Sequence, residues 1–175
     1  ITSFFQSLPL IQDSSSVTNT YSASIWNEYS ENAIGSLKFQ AKTVHGVDDD
    51  VRLTDRLYAD RRKLRGFVNG KVGPKDGSDW IGGNYVAGLS AEIQLPNLLP
   101  ESYKTDFSVY LDTANVWGVD YNKSLNETNK IRSSIGVAAN VFTPVGPLSW
   151  TFSQNISKAA TDVTETFNFN IGTSF

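Results

Sequence analysis

The chain has 175 residues, enough for one domain, with 15 Lys and Arg against 18 Asp and Glu and a net charge of −3. That weak acidity gives no electrostatic footing for a nucleic-acid partner, and no run approaches the roughly 18 consecutive apolar residues of a membrane helix. Cys is absent and His45 is the single histidine, which excludes disulfides, thiolate chemistry and multi-histidine metal sites.

A mean hydropathy of −0.27 reads as soluble on average. Averages are silent about membrane β-barrels, however, because barrel strands are apolar only at alternate positions. The chain opens on Ile1, with neither an initiator Met nor a basic-then-apolar leader. It is therefore expected to be a mature product or a piece of a longer protein.

Period-two alternation predicts eight strands in chain order and no helix. Residues 2–9 and 20–28 qualify through β-branched and aromatic content. Residues 36–43 set Leu37, Phe39 and Ala41 against Ser36, Lys38, Gln40 and Lys42. Residues 84–95 put Tyr85, Ala87, Leu89, Ala91, Ile93 and Leu95 on one face, opposite Ser90, Glu92 and Gln94. In 106–117, Phe107, Val109 and Leu111 oppose Ser108, Tyr110 and Asp112. In 131–141, Ile135, Val137, Ala139 and Val141 oppose Arg132, Ser134, Gly136 and Asn140. Residues 148–156 align Leu148, Trp150, Phe152 and Ile156, and 167–175 align Phe167, Phe169, Ile171 and Phe175 against Asn168 and Asn170.

The connections alternate in length. Residues 29–33 and the proline- and glycine-marked 142–147 are tight. By contrast, 46–81 and 118–130 are long, polar and rich in Asp, Asn, Gly and Lys. Short turns on one rim and long loops on the other are the habit of outer-membrane barrels. A soluble β-sandwich alternates too, with its apolar face inside. The small residues, amides and charges of the polar face, and aromatics near strand ends (Tyr85, Phe107, Trp117, Phe142, Phe175), favour the membrane barrel.

Several ordered segments carry a family resemblance: Leu64-Arg65-Gly66-Phe67, Gly70-Lys71-Val72-Gly73-Pro74, Ile81-Gly82-Gly83-Asn84 and Ser90-Ala91-Glu92. They continue with Leu111-Asp112-Thr113-Ala114-Asn115-Val116-Trp117, Ser134-Ile135-Gly136-Val137, Thr143-Pro144-Val145-Gly146-Pro147-Leu148 and the terminal 167–175. Together they resemble the BamA family of outer-membrane β-barrel assembly factors, most strongly over residues 64–175. The resemblance implies an all-β, antiparallel transmembrane barrel domain over 1–175. It would be the C-terminal half of a barrel of about sixteen strands, without the family's periplasmic POTRA domains. Its eight strands would close alone, as in the smallest common barrels, or pair edge to edge with a second copy or a missing half, since open edges cannot face lipid.

The implied site is a loop, 46–81, that folds into the lumen and sets Arg65, with Gly66 and Phe67, against the wall. Alternation independently turns Glu92 and Asp112 inward on neighbouring strands, so that two carboxylates can flank one guanidinium. Gly82 and Gly83 are expected to give the loop a smooth wall to pack on. The terminal strand, with Phe167, Phe169, Ile171 and Phe175, resembles the β-signal read by strand augmentation, and in the family it borders the lateral seam where clients enter. Six of the 15 basic residues (Arg52, Arg56, Arg61, Arg62, Lys63, Arg65) come after Asp48-Asp49-Asp50, and would meet lipopolysaccharide phosphates, the lumen wall or solvent.

Catalysis is not expected. A triad would need His45, and no nucleophile elbow lies near it. No cofactor and no metal is expected either. The function so implied is insertion and assembly of β-barrel clients through a lateral seam in the Gram-negative outer membrane. Its partners would be lipids and lipopolysaccharide, client barrels, accessory assembly lipoproteins and, through open strand edges, a second copy. The alternative is a small structural or anchoring barrel, or a narrow pore, without assembly activity.

Overall fold

The computed structural model describes residues 6–7, 16–144 and 146–172. It consists of β1 (Gln6–Ser7), β2 (Ser16–Ser30), β3 (Ala33–Gly46), β4 (Lys75–Asp76), β5 (Asp79–Trp80), β6 (Tyr85–Leu95), β7 (Thr105–Trp117), β8 (Arg132–Thr143), β9 (Gly146–Ser157) and β10 (Phe167–Ile171). Eight of these form one antiparallel sheet in the order β1-β2-β3-β6-β7-β8-β9-β10, while β4 and β5 make a separate small hairpin inside the long connection. Three short 3-10 turns are the helical content of the described residues. Phe175 lies outside the described residues.

The sheet does not close on itself among the described residues: β1 and β10 are its two outer strands. Of the two expected alternatives, closing alone and pairing edge to edge, the first is not met by the described residues. Closure would need β10 to pair with β1, whereas the pairing runs β1 to β2 at one end and β9 to β10 at the other.

The wall is inverted relative to a soluble protein. Its outward row includes Ile25, Leu37, Phe39, Leu89, Ile93, Val109, Leu111, Ile135, Val137, Phe152, Phe167 and Phe169, all exposed. The opposite parity buries Ser90, Ser108, Asp112, Arg132, Ser134 and Ser153. Antiparallel register explains why whole rows line up: Leu37, Ala91, Leu111 and Ile135 are successive cross-strand partners. Aromatic pairs continue the outward row across the last hairpin, Phe152 with Phe167 at 4.9 Å and Trp150 with Phe169 at 5.6 Å. At the long-loop rim Tyr85 stacks on Trp117 and meets His45 edge-on. Phe142 instead falls on the parity of inward Asn140, at the end of β8.

The apolar belt varies in continuity. On β6 it runs from Tyr85 to Leu95, about 33 Å along the strand and roughly 25 Å once a barrel strand is tilted. On β9 the outward row of Leu148, Trp150 and Phe152 is interrupted by exposed Gln154 and resumes at exposed Ile156, about 26 Å from its start.

The packed core lies on the concave side. Ala59, Leu64, Phe67 and Val72 of the long connection bury themselves against Val86, Ala114 and Val116 of β6 and β7. Each large side chain so buried contributes roughly 1.5–3 kcal/mol, which explains how an otherwise polar loop stays on the wall.

Candidate functional site

The loop tip sits where three strands present short side chains. Phe67 is anchored in the core and Gly66 takes φ +85°, a left-handed turn that an L side chain resists. A Cβ at Gly66 would stand 2.7 Å from the Ser153 Cβ, so the tip touches β9 directly. Asn155 Nδ2 donates to the Gly66 carbonyl at 2.9 Å, and Ser134 Oγ donates to the Arg65 carbonyl at 2.5 Å.

This seating aims Arg65 along the wall toward β7 and β6. Its Nε and Nη2 donate to the two Asp112 oxygens at 2.7 and 2.9 Å, a bidentate pair, and its peptide N–H adds a third bond at 3.0 Å. Nη1 reaches Glu92 at 3.3 Å, and Nη2 reaches Ser90 Oγ at the same distance. The Asp112 side chain has no exposed surface, and Ser90 Oγ donates to it at 2.6 Å. Alternation makes this possible: Ser90 and Asp112 are cross-strand partners, and Glu92 is two residues along the same face.

Tyr110 completes the site, although nothing in the sequence pattern gives it a role there. Its ring lies 3.4 Å below the Arg65 guanidinium, a cation–π stack. The ring extends over Gly136 of β8, where an added Cβ would meet the Tyr110 Cζ at 2.6 Å, and its hydroxyl bonds Ser153 Oγ of β9 at 2.6 Å. Gly136 therefore gives up its side chain so that one tyrosine can tie three strands together and floor the arginine.

Gly82 and Gly83 meet the loop's other end. Gly83 exchanges two backbone hydrogen bonds with Leu57 at 2.8 and 2.9 Å, and a Cβ at Gly82 would lie 2.7 Å from the Leu57 carbonyl. The basic run divides. Arg56 is buried beside Asp120, Asn84 and the Val51 carbonyl. Arg61 and Arg62 join Arg65, Glu92, Asn140 and Asn168 around a lumenal cavity of about 490 Å³. Burial pushes the Lys63 ammonium below its ordinary value, with Asp60 opposing and Lys42 and Lys38 adding to it. Among the described residues no group of three or more potential metal ligands gathers.

The fold has counterparts among known proteins. The model of the Omp85 superfamily domain matches residues 6–175. The chain belongs to the Omp85 superfamily. Outer membrane protein assembly factor BamA of Neorickettsia risticii is 26% identical over 151 residues, 84% of this chain and 20% of the relative. BamA of Neisseria meningitidis serogroup B is 27% identical over 139 residues, 64% of this chain and 17% of the relative. The crystal structure of BamA from Haemophilus ducreyi lacking POTRA domains 1–3 superposes with a TM-score of 0.76 at 26% identity, covering 88% of this chain and 34% of that one. The chain thus spans about a fifth of the full-length relatives, and it is an outer-membrane β-barrel protein by family.

In two further polar centres of this Omp85 wall the acidic partner carries no mark in the sequence. Asp120 receives the Val51 N–H at 2.7 Å and Asn84 Nδ2 at 3.0 Å besides Arg56, tying the two longest connections together at the rim. Burial alone would raise the Asp120 carboxyl, but the Val51, Asn84 and Arg56 donors outweigh it and hold it at about 2. Arg132 and Asp162 form a second ion pair with no exposed side-chain surface on either partner. Alternation turns Arg132 inward, but its partner lies in an irregular connection that no periodicity describes.

Proposed function

We propose that this chain is the C-terminal wall of an outer-membrane assembly factor that helps β-barrel clients fold and insert through a seam bordered by β10. The observation that carries the reading is a short edge strand beside an interrupted apolar row. β10 pairs with β9 over five residues, Phe167 to Ile171, and its other edge has no strand partner among the described residues. Such an edge offers backbone donors and acceptors to an incoming strand, with Phe167, Phe169 and Ile171 giving an apolar, lipid-side register.

The outward row beside it on β9 is broken by Gln154, whereas the row on β6 is unbroken from Tyr85 to Leu95. Lipid that thins around such a break does so at a modest cost for each ångström of mismatch. A thinner bilayer lowers the barrier for a client strand whose polar face has to cross. The Arg65 contact with Asp112 and Glu92 would keep the loop on the wall while β10 exchanges partners. Clients are the partners in this reading, and the chemistry is non-covalent.

The test is client folding into liposomes with and without this chain, monitored by the loss of the unfolded client's gel mobility. Acceleration that disappears when β10 carries Phe169→Pro supports the role, because proline removes a backbone donor and disturbs the edge. Equal rates with and without the chain refute assembly activity of this wall alone. The mass of the protein–detergent complex then separates one copy from two paired edge to edge.

A further inference from the structure

The Arg132–Asp162 pair lies away from the Arg65 site and holds a different segment. Arg132 Nε and Nη2 donate to the two Asp162 oxygens at 2.9 and 3.1 Å, while Nη1 donates to Asn115 at 2.6 Å and to the Lys130 carbonyl at 2.7 Å. Asp162 also accepts the Ala159 N–H at 2.6 Å and the Gly73 N–H at 3.4 Å. One carboxylate therefore joins β8, the long loop and the turn at 159–162.

Immediately after Asp162 the chain enters a backbone ladder. Val68 N–H donates to the Val163 carbonyl at 2.9 Å, Val163 N–H to the Lys71 carbonyl at 3.1 Å, and Glu165 N–H to the Gly66 carbonyl at 3.1 Å, with Phe67 and Thr164 as the bridged pair. Ser153 N–H then donates to the Thr166 carbonyl at 2.8 Å, and β10 begins at the next residue. Between the clasp and the edge strand each residue from 163 to 166 is thus held by the loop tip or by β9.

We propose that Arg132 and Asp162 are positioning residues for the edge strand: their clasp fixes the 158–166 connection, and through the ladder it sets how long β10 stays paired with β9. The physical reason is entropic. An edge pairing of five residues is marginal by itself, and its closing cost falls when the chain entering it is already fixed nearby. Cut loose from Arg132, the connection becomes a free tether and β10 frays from its long-loop end. This goes beyond the assembly reading, because it concerns what governs the edge rather than what the edge takes.

The experiment is amide hydrogen exchange on the full chain in detergent micelles, without client. In Asp162→Asn, which keeps the side-chain shape, exchange over residues 163–172 is expected to rise at least tenfold, with 85–95 and 105–117 unchanged. Asp120→Asn, at another ion pair on the same rim, should leave 163–172 at the parent rate. Where Asp162→Asn does not fold, Arg132→Lys keeps the charge, loses the two-pronged contact, and should give a rise of threefold or more confined to 163–172. No change there, or a rise spread evenly over the wall, overturns the proposal. With no client in the sample, this outcome and the liposome result stand or fall separately.

Discussion

Arg65→Ala removes the two Asp112 bonds at 2.7 and 2.9 Å, the 3.3 Å contacts to Glu92 and Ser90, and the stack on Tyr110 at 3.4 Å. Asp112 is left buried without its cation, and breaking such a pair from one side costs about 3–5 kcal/mol. Two bonds to Asp112 survive, from the residue 65 peptide N–H and from Ser90 Oγ. Arg65 and Glu92 also keep 16% and 12% of their side-chain surface exposed. Both facts point to the lower end of that range, and the lost ring contact adds about 1 kcal/mol. A net loss of about 3–4 kcal/mol in loop attachment raises the detached population roughly 100- to 1,000-fold, at 1.4 kcal/mol per decade.

Trypsin reads that population. The chain offers it Arg61, Arg62 and Lys63, and cleavage tracks the open fraction when reclosing is fast. Cleavage of the loop should accelerate about 100-fold or more in Arg65→Ala, with the far-ultraviolet β signal unchanged because the strand ladder is untouched. Arg65→Lys should fall between, since an ammonium cannot make the bidentate pair. An acceleration below about threefold in Arg65→Ala would refute the claim that this arginine holds the loop, and would assign the attachment to Leu64, Phe67 and Val72 instead.

Gly136→Ala should destabilise the wall by about 2 kcal/mol or more, because the new methyl meets the Phe152 carbonyl of β9 as well as the Tyr110 hydroxyl and ring, and the strand offers no room to relax; thermal unfolding monitored by gel mobility measures it, and an unchanged midpoint contradicts this close packing. Asp120 makes the rim acid-sensitive in a defined window. Its carboxyl is held at about 2 against an ordinary 3.8, so its contribution is complete above pH 3.8 and is lost as pH falls toward 2. Proteolysis of 46–81 by pepsin should therefore rise over that interval in the parent chain. In Asp120→Asn the rise should be flattened, and identical profiles in the two would remove Asp120 from the account.

The strands were legible where lipid and lumen impose opposite demands on neighbouring residues. Residues 84–95 and 106–117 differ from β6 and β7 by one residue at the start. β2 and β3 run further than the alternation implied, to Ser16–Ser30 and Ala33–Gly46, because the two strands pair with each other along nearly their whole length, through ends where strict alternation lapses. The β4–β5 hairpin was missed although Asp76-Gly77 is a turn signal, with Gly77 at φ +57°. Parity turned Glu92 and Asp112 inward, while the family resemblance, not periodicity, brought the Arg65 loop to them. Asp162 could not be placed, since its position depends on a loop tip packing against a second loop.

The buried contacts of Leu64, Phe67 and Val72 with β6 and β7 also constrain the order of events as the protein forms. These side chains lie in the middle of a connection whose two ends are both fixed at the same rim. While the sheet is open, that connection reaches the concave face from the side. After closure of any barrel that includes this wall, the same segment, with its phenylalanine and its charged arginine, would have to be threaded through the mouth past the other rim loops. Docking first is the cheaper order. On that account the loop serves as a mandrel around which the wall is wound.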